Sequence, residues 1–150
     1  MDITEKNLDF LHVFRGSFQG ILRWSQLDQL WQAVLSNPPG TWYLYAVGEL
    51  PPTQVATTLE VQHFIQELDS LLRKEHAEDY CGIVYVDDLK QPSLIKVFDP
   101  HNLGTMCGSK GTQPLPAWII SKLKPIDLPH TVPVPRNRQR WWQQLFASHK

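Results

Sequence analysis

The sequence predicts a small α+β protein, or a related α/β protein, with two main helices on a mixed sheet of four or five strands. Two segments, 25–36 and 58–76, carry apolar residues at the spacing of one helix face. Short runs of β-favouring residues lie before, between and after them. Apolar residues make up 42% of the 150 residues and charged residues 19%, which suits one domain with a buried core. We therefore expect a two-layer sandwich.

The elements are expected in the order strand, helix, strand, helix and hairpin. FLHVF at 10–14 has the composition of a strand, and Ser25 is a suitable N-cap for the helix at 25–36. WYLYAV at 42–47 predicts a strand that can form a βαβ unit with the helix at 58–76 and the next strand. The helix at 58–76 should bury one stripe of apolar residues: Val61, Phe64, Ile65, Leu68, Leu71 and Leu72.

YCGIVYVD at 80–87 and SLIKVF at 93–98 predict an antiparallel hairpin in which residue 87 lies opposite residue 94. The tetrapeptide YVDD within it resembles the catalytic hairpin of reverse transcriptases, where paired aspartates hold magnesium. A two-metal site needs carboxylates that converge from separate strands. In the expected register, Asp99 lies about 16 Å from Asp87, at the far end of the strands. We therefore interpret Asp87 and Asp88 as turn residues that accept backbone hydrogen bonds.

The glycine-rich loop from Gly104 to Gly111 is the best position for a site. It differs from a phosphate-binding loop because Ser109 stands where that pattern requires glycine, and Gly111 stands where it requires Ser or Thr. Backbone amides of such a turn can still bind an anion. A structural turn, a metal site, a reactive thiol and an anion nest all remain open, and the structural turn is favoured.

The expected hairpin register, together with the C-terminal end of the second helix, brings five chemically versatile residues to one end of the sheet: His76, Cys81, Asp99, His101 and Cys107. Zinc binds Cys sulfur and His nitrogen, so Cys81, Cys107, His101 and His76 are candidate metal ligands. Cys107, His101 and Asp99 are candidate catalytic residues, because a base next to a thiol activates it. The C-x-x-C spacing that makes zinc a strong prediction is absent from the sequence. We therefore expect no cofactor and keep zinc as an alternative.

The chain divides by composition into a compact core at 1–113 and a proline-rich arm at 114–150. Six of the 12 prolines lie between residues 114 and 135, so residues 115–135 should run extended over the surface. Residues 1–121 carry 8 Lys/Arg against 14 Asp/Glu, whereas residues 122–150 carry 6 against 1. This contrast between an acidic body and a basic tail suggests a binding partner for the tail.

The tail should end in a short helix that carries Arg136, Arg138, Arg140, Trp141 and Trp142. Arg and Trp are enriched at the energetic centres of protein interfaces. Both docking on the chain's own core and binding to a partner remain open. With partial docking, the three arginines are expected to stay open to an acidic partner.

We therefore predict a small accessory or assembly protein, without enzymatic activity, that binds another protein through its tryptophan-containing basic tail. The alternative is a metal-binding or thiol-dependent enzyme that uses Cys107, His101, Cys81 and Asp99. We expect no nucleic-acid partner, because the body is acidic and the tail holds few arginines. The N-terminus lacks the features of a signal peptide, and no apolar run is long enough to span a bilayer, so we expect a cytoplasmic protein with reduced thiols and no membrane partner.

Overall fold

The computed structural model describes residues 3–102, 115–128 and 134–147, and these residues confirm the predicted α+β class. The described ranges contain four helices: α1 (Ile3–Phe14), α2 (Trp24–Leu35), α3 (Thr58–Glu75) and α4 (Arg136–Ala147). They contain five strands: β1 (Gln19–Gly20), β2 (Tyr43–Ala46), β3 (Val84–Val86), β4 (Leu94–Val97) and β5 (Trp118–Ser121). A 3-10 turn, Pro100–Asn102, follows β4.

The five strands form one antiparallel sheet in the order β1-β3-β4-β5-β2. The chain leaves β2 at one edge, passes through α3 and enters β3 next to the opposite edge. The expected βαβ unit is therefore wrong, and the sheet is antiparallel rather than mixed. The physical reason is that β4 and β5 are paired on both sides and separate β2 from β3.

Strand β5 corrects the surface route that the sequence predicts for residues 118–121. It lies between β4 and β2, and all four of its residues are buried. Ser121 pairs with both Leu94 and Tyr43. The run from Trp118 to Ser121 contains no proline, so every backbone N–H is available for a ladder on either side. The sheet therefore takes one of its inner strands from a segment that follows residue 113.

The hairpin of β3 and β4 has the predicted register, with Asp87 opposite Leu94. The Asp87 Oδ1 atom accepts hydrogen bonds from the backbone N–H groups of Ser93 and Leu94, at 2.9 and 3.0 Å. The Asp88 Oδ1 atom accepts one from the Lys90 N–H at 2.9 Å. These bonds confirm the interpretation of both aspartates as turn residues, because each carboxylate closes the turn through backbone amides.

The larger core lies between one face of the sheet and helices α2, α3 and α4. The predicted apolar stripe of α3 is confirmed, since all six of its residues are buried. A capping box fixes the start of α3, in which Thr57 and Glu60 accept hydrogen bonds from each other's backbone N–H. The predicted N-cap at Ser25 is wrong: helix α2 begins at Trp24 with Arg23 as its N-cap, and the Gln26 side chain accepts the N–H groups of Leu22 and Arg23.

The second face of the sheet is also covered, which gives three layers instead of the two that the sequence predicts. Phe10 of α1 packs there against Tyr45, Leu94, Ile119 and Leu128, all less than 9% exposed. The chain reaches this face again after β5, where the Tyr45 hydroxyl accepts a hydrogen bond from the Leu128 N–H at 3.1 Å. Residues 123–128 therefore lie across the sheet from α4.

The strand predicted at 10–14 is wrong, because these residues form the last turns of α1. Phe10 and Phe14 are four residues apart, and their rings stack with centroids 5.8 Å apart. A helix places residues with this spacing on one side. The Lys96 ammonium of β4 lies 4.2 Å from the centre of the Phe14 ring and 3.9 Å from that of Phe18. A five-residue apolar run fits either a strand or a helix end, and contact with the sheet selects the helix.

Leu68 gives a direct test of the core, because it lies in the middle of the α3 stripe and is 0% exposed. We expect Leu68→Ala to lower the free energy of unfolding by about 2–5 kcal/mol, since it leaves a cavity in the main core. Urea denaturation of both proteins measures this difference. The exposed Leu59 of the same helix, changed to Ala, is the control and should cost far less. Equal losses for both changes would contradict this packing.

Candidate functional site

Helix α4 packs on the main core through one side. Leu145 is 3% exposed, and Trp141 and Trp142 are half-buried. The ring centroid of Trp141 lies 5.3 Å from that of Trp118 in β5, and the Trp142 centroid lies 5.7 Å from that of Phe64 in α3. The helix predicted for the tail is therefore present. Of the two outcomes that the sequence left open, the structure shows docking on the chain's own core.

A buried cluster of charges lies beside these aromatic rings. The Arg138 guanidinium, in a side chain 6% exposed, makes two hydrogen bonds to Asp99, with Nε 2.8 Å from Oδ2 and Nη2 3.1 Å from Oδ1. It makes two more to Glu75, with Nη2 2.5 Å from Oε1 and Nη1 3.2 Å from Oε2. Such paired bonds to carboxylates are the strongest that an arginine forms. The cluster therefore fixes the first turn of α4 to the body.

The position of Arg138 corrects the expected open face of three arginines. Alternate residues share a face in a strand, but successive residues of a helix turn by about 100°. Arg138 therefore points away from Arg136 and Arg140, to the side that holds Leu145. The acidic groups that it contacts belong to its own chain. Much of the predicted attraction between basic tail and acidic body is thus satisfied within one molecule.

Two elements bring the carboxylates to Arg138. Glu75 is the last residue of α3, and Asp99 follows β4 at the start of the 3-10 turn. The Asp99 Oδ1 atom also accepts the His101 backbone N–H at 2.9 Å, which holds the carboxylate toward the core. The His101 Nε2 atom lies 2.5 Å from Glu75 Oε1, and the His101 ring is largely exposed. Asp99 and His101 are therefore close together as predicted, but Asp99 binds Arg138 of α4 and the His101 ring lies against Glu75 of α3.

The electrostatics of the cluster follow from these contacts. Hydrogen bonds from Arg138 lower the pKa of Glu75, although partial burial of that carboxyl acts in the opposite direction. Burial opposes the charge of Arg138, but the hydrogen bonds to Glu75 and Asp99 outweigh it and raise the pKa of the guanidinium. One arginine thus holds two carboxylates, and its raised pKa keeps the guanidinium charged at neutral pH.

The lowered pKa of Glu75 predicts a loss of stability in acid. A carboxyl whose pKa is lower in the folded state contributes stability above its unfolded pKa, and this contribution is lost as the pH falls through the folded value. We expect the free energy of unfolding to fall more steeply below about pH 4.5 in the native chain than in Glu75→Gln. Urea denaturation from pH 6 to about pH 3 measures both slopes. Glu67→Gln, at an exposed position of the same helix, should keep the native slope.

The cysteine candidates divide between the described and the undescribed parts of the chain. Cys81 is free, 0% exposed and packed in the main core, and burial raises the pKa of its thiol. A nucleophile or metal ligand needs the thiolate, so this environment suits a small core residue better. His76 is the C-cap residue that follows α3, and its ring centroid lies 6.3 Å from that of Trp24. Cys107 and the whole loop from Gly104 to Gly111 lie outside the described residues.

Within residues 3–102, 115–128 and 134–147, no three His, Cys, Asp or Glu side chains are arranged to hold a metal ion. The prediction of a zinc or thiol site that includes Cys107 stays a prediction. In the described residues, the arrangement of Glu75, Asp99, His101 and Arg138 acts as an ion-paired anchor, because both carboxylates are hydrogen-bonded to the arginine.

Sequence reasoning did not identify three residues on the body that contact α4: Phe64, Glu75 and Trp118. Phe64 belongs to the predicted apolar stripe of α3 and Trp118 is apolar, but nothing in the sequence shows which helix covers them. Glu75 gives a weak signal, because a carboxylate at the C-terminal end of a helix is unfavourable to the helix dipole. A residue that conflicts with its local structure often has a tertiary partner, as Glu75 has here.

The opposite side of α4 is exposed. Arg136 and Arg140 are four residues apart, so they lie one above the other on this side. Gln143 and Gln144 are also exposed and continue the polar surface toward the C-terminus. We call these four residues the outer face of α4. It combines two uncovered guanidinium groups with a helix whose inner side is fixed in place.

None of the helices in the described ranges is both long enough and apolar enough to cross a lipid bilayer. Comparison of the chain with protein-family models, with curated proteins and with solved structures gives no match.

Proposed function

We propose that this chain is a cytoplasmic accessory or assembly protein, without enzymatic activity, that binds an acidic surface of another protein through the outer face of α4. The observation that supports the proposal is the exposure of Arg136 and Arg140 on a helix that is anchored from its other side. An anchored helix presents these arginines at low cost in conformational entropy, which favours binding.

The charge balance supports an acidic partner. Arg138 is the only one of the three tail arginines that is paired within the described structure, and its two carboxylates also contact His101. Arg136 and Arg140 lie exposed at the surface. Guanidinium groups recognise carboxylates through paired hydrogen bonds, so Asp or Glu side chains on a partner are the expected counterparts.

Charge reversal on the outer face tests the proposal. The full-length chain and a variant with Arg136→Glu and Arg140→Glu are used to capture partners from the native cell. We expect the variant to lose a protein that the native chain retains, while its stability changes by less than about 0.5 kcal/mol, because both positions are exposed. The retained protein should then bind the purified native chain more weakly as salt is raised.

A matched control separates a specific contact from a change in net charge. Arg15 and Lys90 are both exposed and distant in sequence from α4, and Arg15→Glu with Lys90→Glu gives the same change in charge. This control should keep the partner. Loss of the partner in both variants, or in neither, would contradict binding at the outer face. Capture of nucleic acid instead of protein would assign the basic surface to a different class of ligand.

A further inference from the structure

The surface of the body under α4 has two chemically different parts. It has an aromatic part, formed by Phe64 and Trp118, and an acidic part, formed by Glu75 and Asp99. We call these four residues the α4 seat. We infer that the α4 seat also accepts the α4 helix of a second copy of this chain, so that two copies can exchange their C-terminal helices.

All the described contacts that hold α4 on the body come from one short segment, so they can transfer to another molecule as a unit. They come from residues 138–146, which carry both the buried arginine and the aromatic and aliphatic side chains. An amphipathic helix in a groove is a common mode of recognition between separate chains. A second copy supplies an identical helix, so the charge and shape complementarity seen within one molecule is available between two.

The connection to the body permits this exchange. Before the undescribed residues 129–133, the chain lies on the opposite face of the sheet, where the Leu128 N–H donates a hydrogen bond to the Tyr45 hydroxyl. Seven residues, 129–135, separate Leu128 from α4, and a chain of that length spans up to about 23 Å. Exchange of an identical element between protomers gives a closed dimer in which each seat is filled.

The same connection explains why one molecule fills its own seat at low concentration. A short linker gives the attached helix an effective concentration in the millimolar range. Exchange therefore competes only when the internal contact is weakened or when the concentration is very high. Mismatched charges in the seat provide a way to weaken the internal contact without removing the helix.

Two full-length variants test the inference. One carries Arg138→Glu and keeps the native seat, and the other carries Glu75→Lys and Asp99→Lys and keeps the native helix. In each, like charges meet in a buried position, which should weaken internal docking by roughly a hundredfold or more. An equimolar mixture can restore opposite charges in both seats, but only by exchange between the two variants.

We expect the mixture to form a 1:1 dimer at micromolar concentration in sedimentation velocity, whereas each variant alone stays monomeric. Helical circular dichroism should rise on mixing. Monomers that remain separate although both variants are folded would overturn the inference. Dimers formed equally well by each variant alone would also overturn it, because the contact would then lie elsewhere.

A second measurement applies if either variant fails to fold. The full-length Arg138→Met chain, which carries a milder mismatch, is titrated with a labelled peptide of residues 134–147. We expect this chain to bind the peptide at least tenfold more tightly than the native chain, whose seat is filled by its own helix. The same peptide with Arg138→Glu is the control and should bind neither. Equal binding of the two peptides would contradict exchange at the α4 seat. Because exchange uses the inner side of α4, it does not depend on the partner proposed for the outer face.

Discussion

A chain that ends after Pro135 is expected to lose at least about 4 kcal/mol of its free energy of unfolding. The deletion removes Leu145, which is fully buried, and three half-buried aromatic side chains: Trp141, Trp142 and Phe146. Burying one large apolar side chain stabilises a fold by about 1.5–3 kcal/mol, and a half-buried ring contributes a part of that. The deletion also leaves Asp99 and Glu75 without their arginine. A loss of this size is a large share of the 5–15 kcal/mol that is typical of a domain.

Chemical denaturation of the two proteins measures this difference, and it also gives the surface exposed on unfolding through the slope. The matched control is the full-length chain with Arg136→Ala and Arg140→Ala, which alters the same helix only on its outer face. This control should stay within about 0.5 kcal/mol of the native chain. A shortened chain as stable as the native one would show that α4 does not dock in solution.

The sequence predicts most strongly those elements whose local pattern and tertiary surroundings agree. The stripe of α3 repeats over several turns, so a helix with one buried side is the only way to bury it. The turn at Asp87 and Asp88 is equally local, because each carboxylate closes the turn through amides a few residues away. In these places, the residues that decide the structure are close neighbours in sequence.

Other elements depend on contacts that the sequence does not show. The apolar run at 10–14 is too short to distinguish a helix end from a strand, and only its packing on the second face of the sheet makes it helical. Residues 118–121 lie within a proline-rich segment, and its average composition conceals four consecutive residues that pair on both sides. Pairing between distant strands is decided by the whole sheet, because neighbours on both sides must match.

The candidate site shows the same division. The aromatic and basic character of α4 can be read from the sequence, but the role of each arginine depends on its angle around the helix axis. The seven-residue spacing of Arg138 and Leu145 puts them on one helix face, but this inference requires that the segment is known to be helical. Its partners, Glu75 and Asp99, lie 63 and 39 residues away along the chain. No local pattern connects them, so the ion-paired anchor could be found only in the folded structure.

Asp99→Ala is expected to lower the free energy of unfolding by about 3–5 kcal/mol, because it removes one of two counterions from a buried arginine. Asp99 is 2% exposed and lies 2.8 Å from Arg138, whose side chain is 6% exposed. A buried charge that loses its partner keeps the cost of leaving water without the compensating attraction. Urea denaturation at neutral pH measures the loss.

The matched control is Asp28→Ala, which breaks another Asp–Arg contact of similar length. Asp28 lies 2.6 Å from Arg73, but their side chains are 61% and 37% exposed. Water and salt screen such a pair, so this change should cost less than about 1 kcal/mol. The two results together separate the effect of burial from that of distance. Equal losses at the two positions would mean that the Arg138 cluster is open to water in solution.

The double variant Asp99→Ala with Arg138→Met completes the test, because it removes the buried charge together with its partner. We expect the double variant to lose less free energy of unfolding than the two single variants lose together. Each single variant leaves a buried charge without its partner, whereas the double variant removes both charges of the Asp99–Arg138 pair. Met keeps much of the length of the arginine stem and can pack against the aromatic rings. Full recovery is not expected, because Glu75 then lacks its main hydrogen-bond donor. Strictly additive losses would show that Asp99 and Arg138 stabilise the docking of α4 independently of each other.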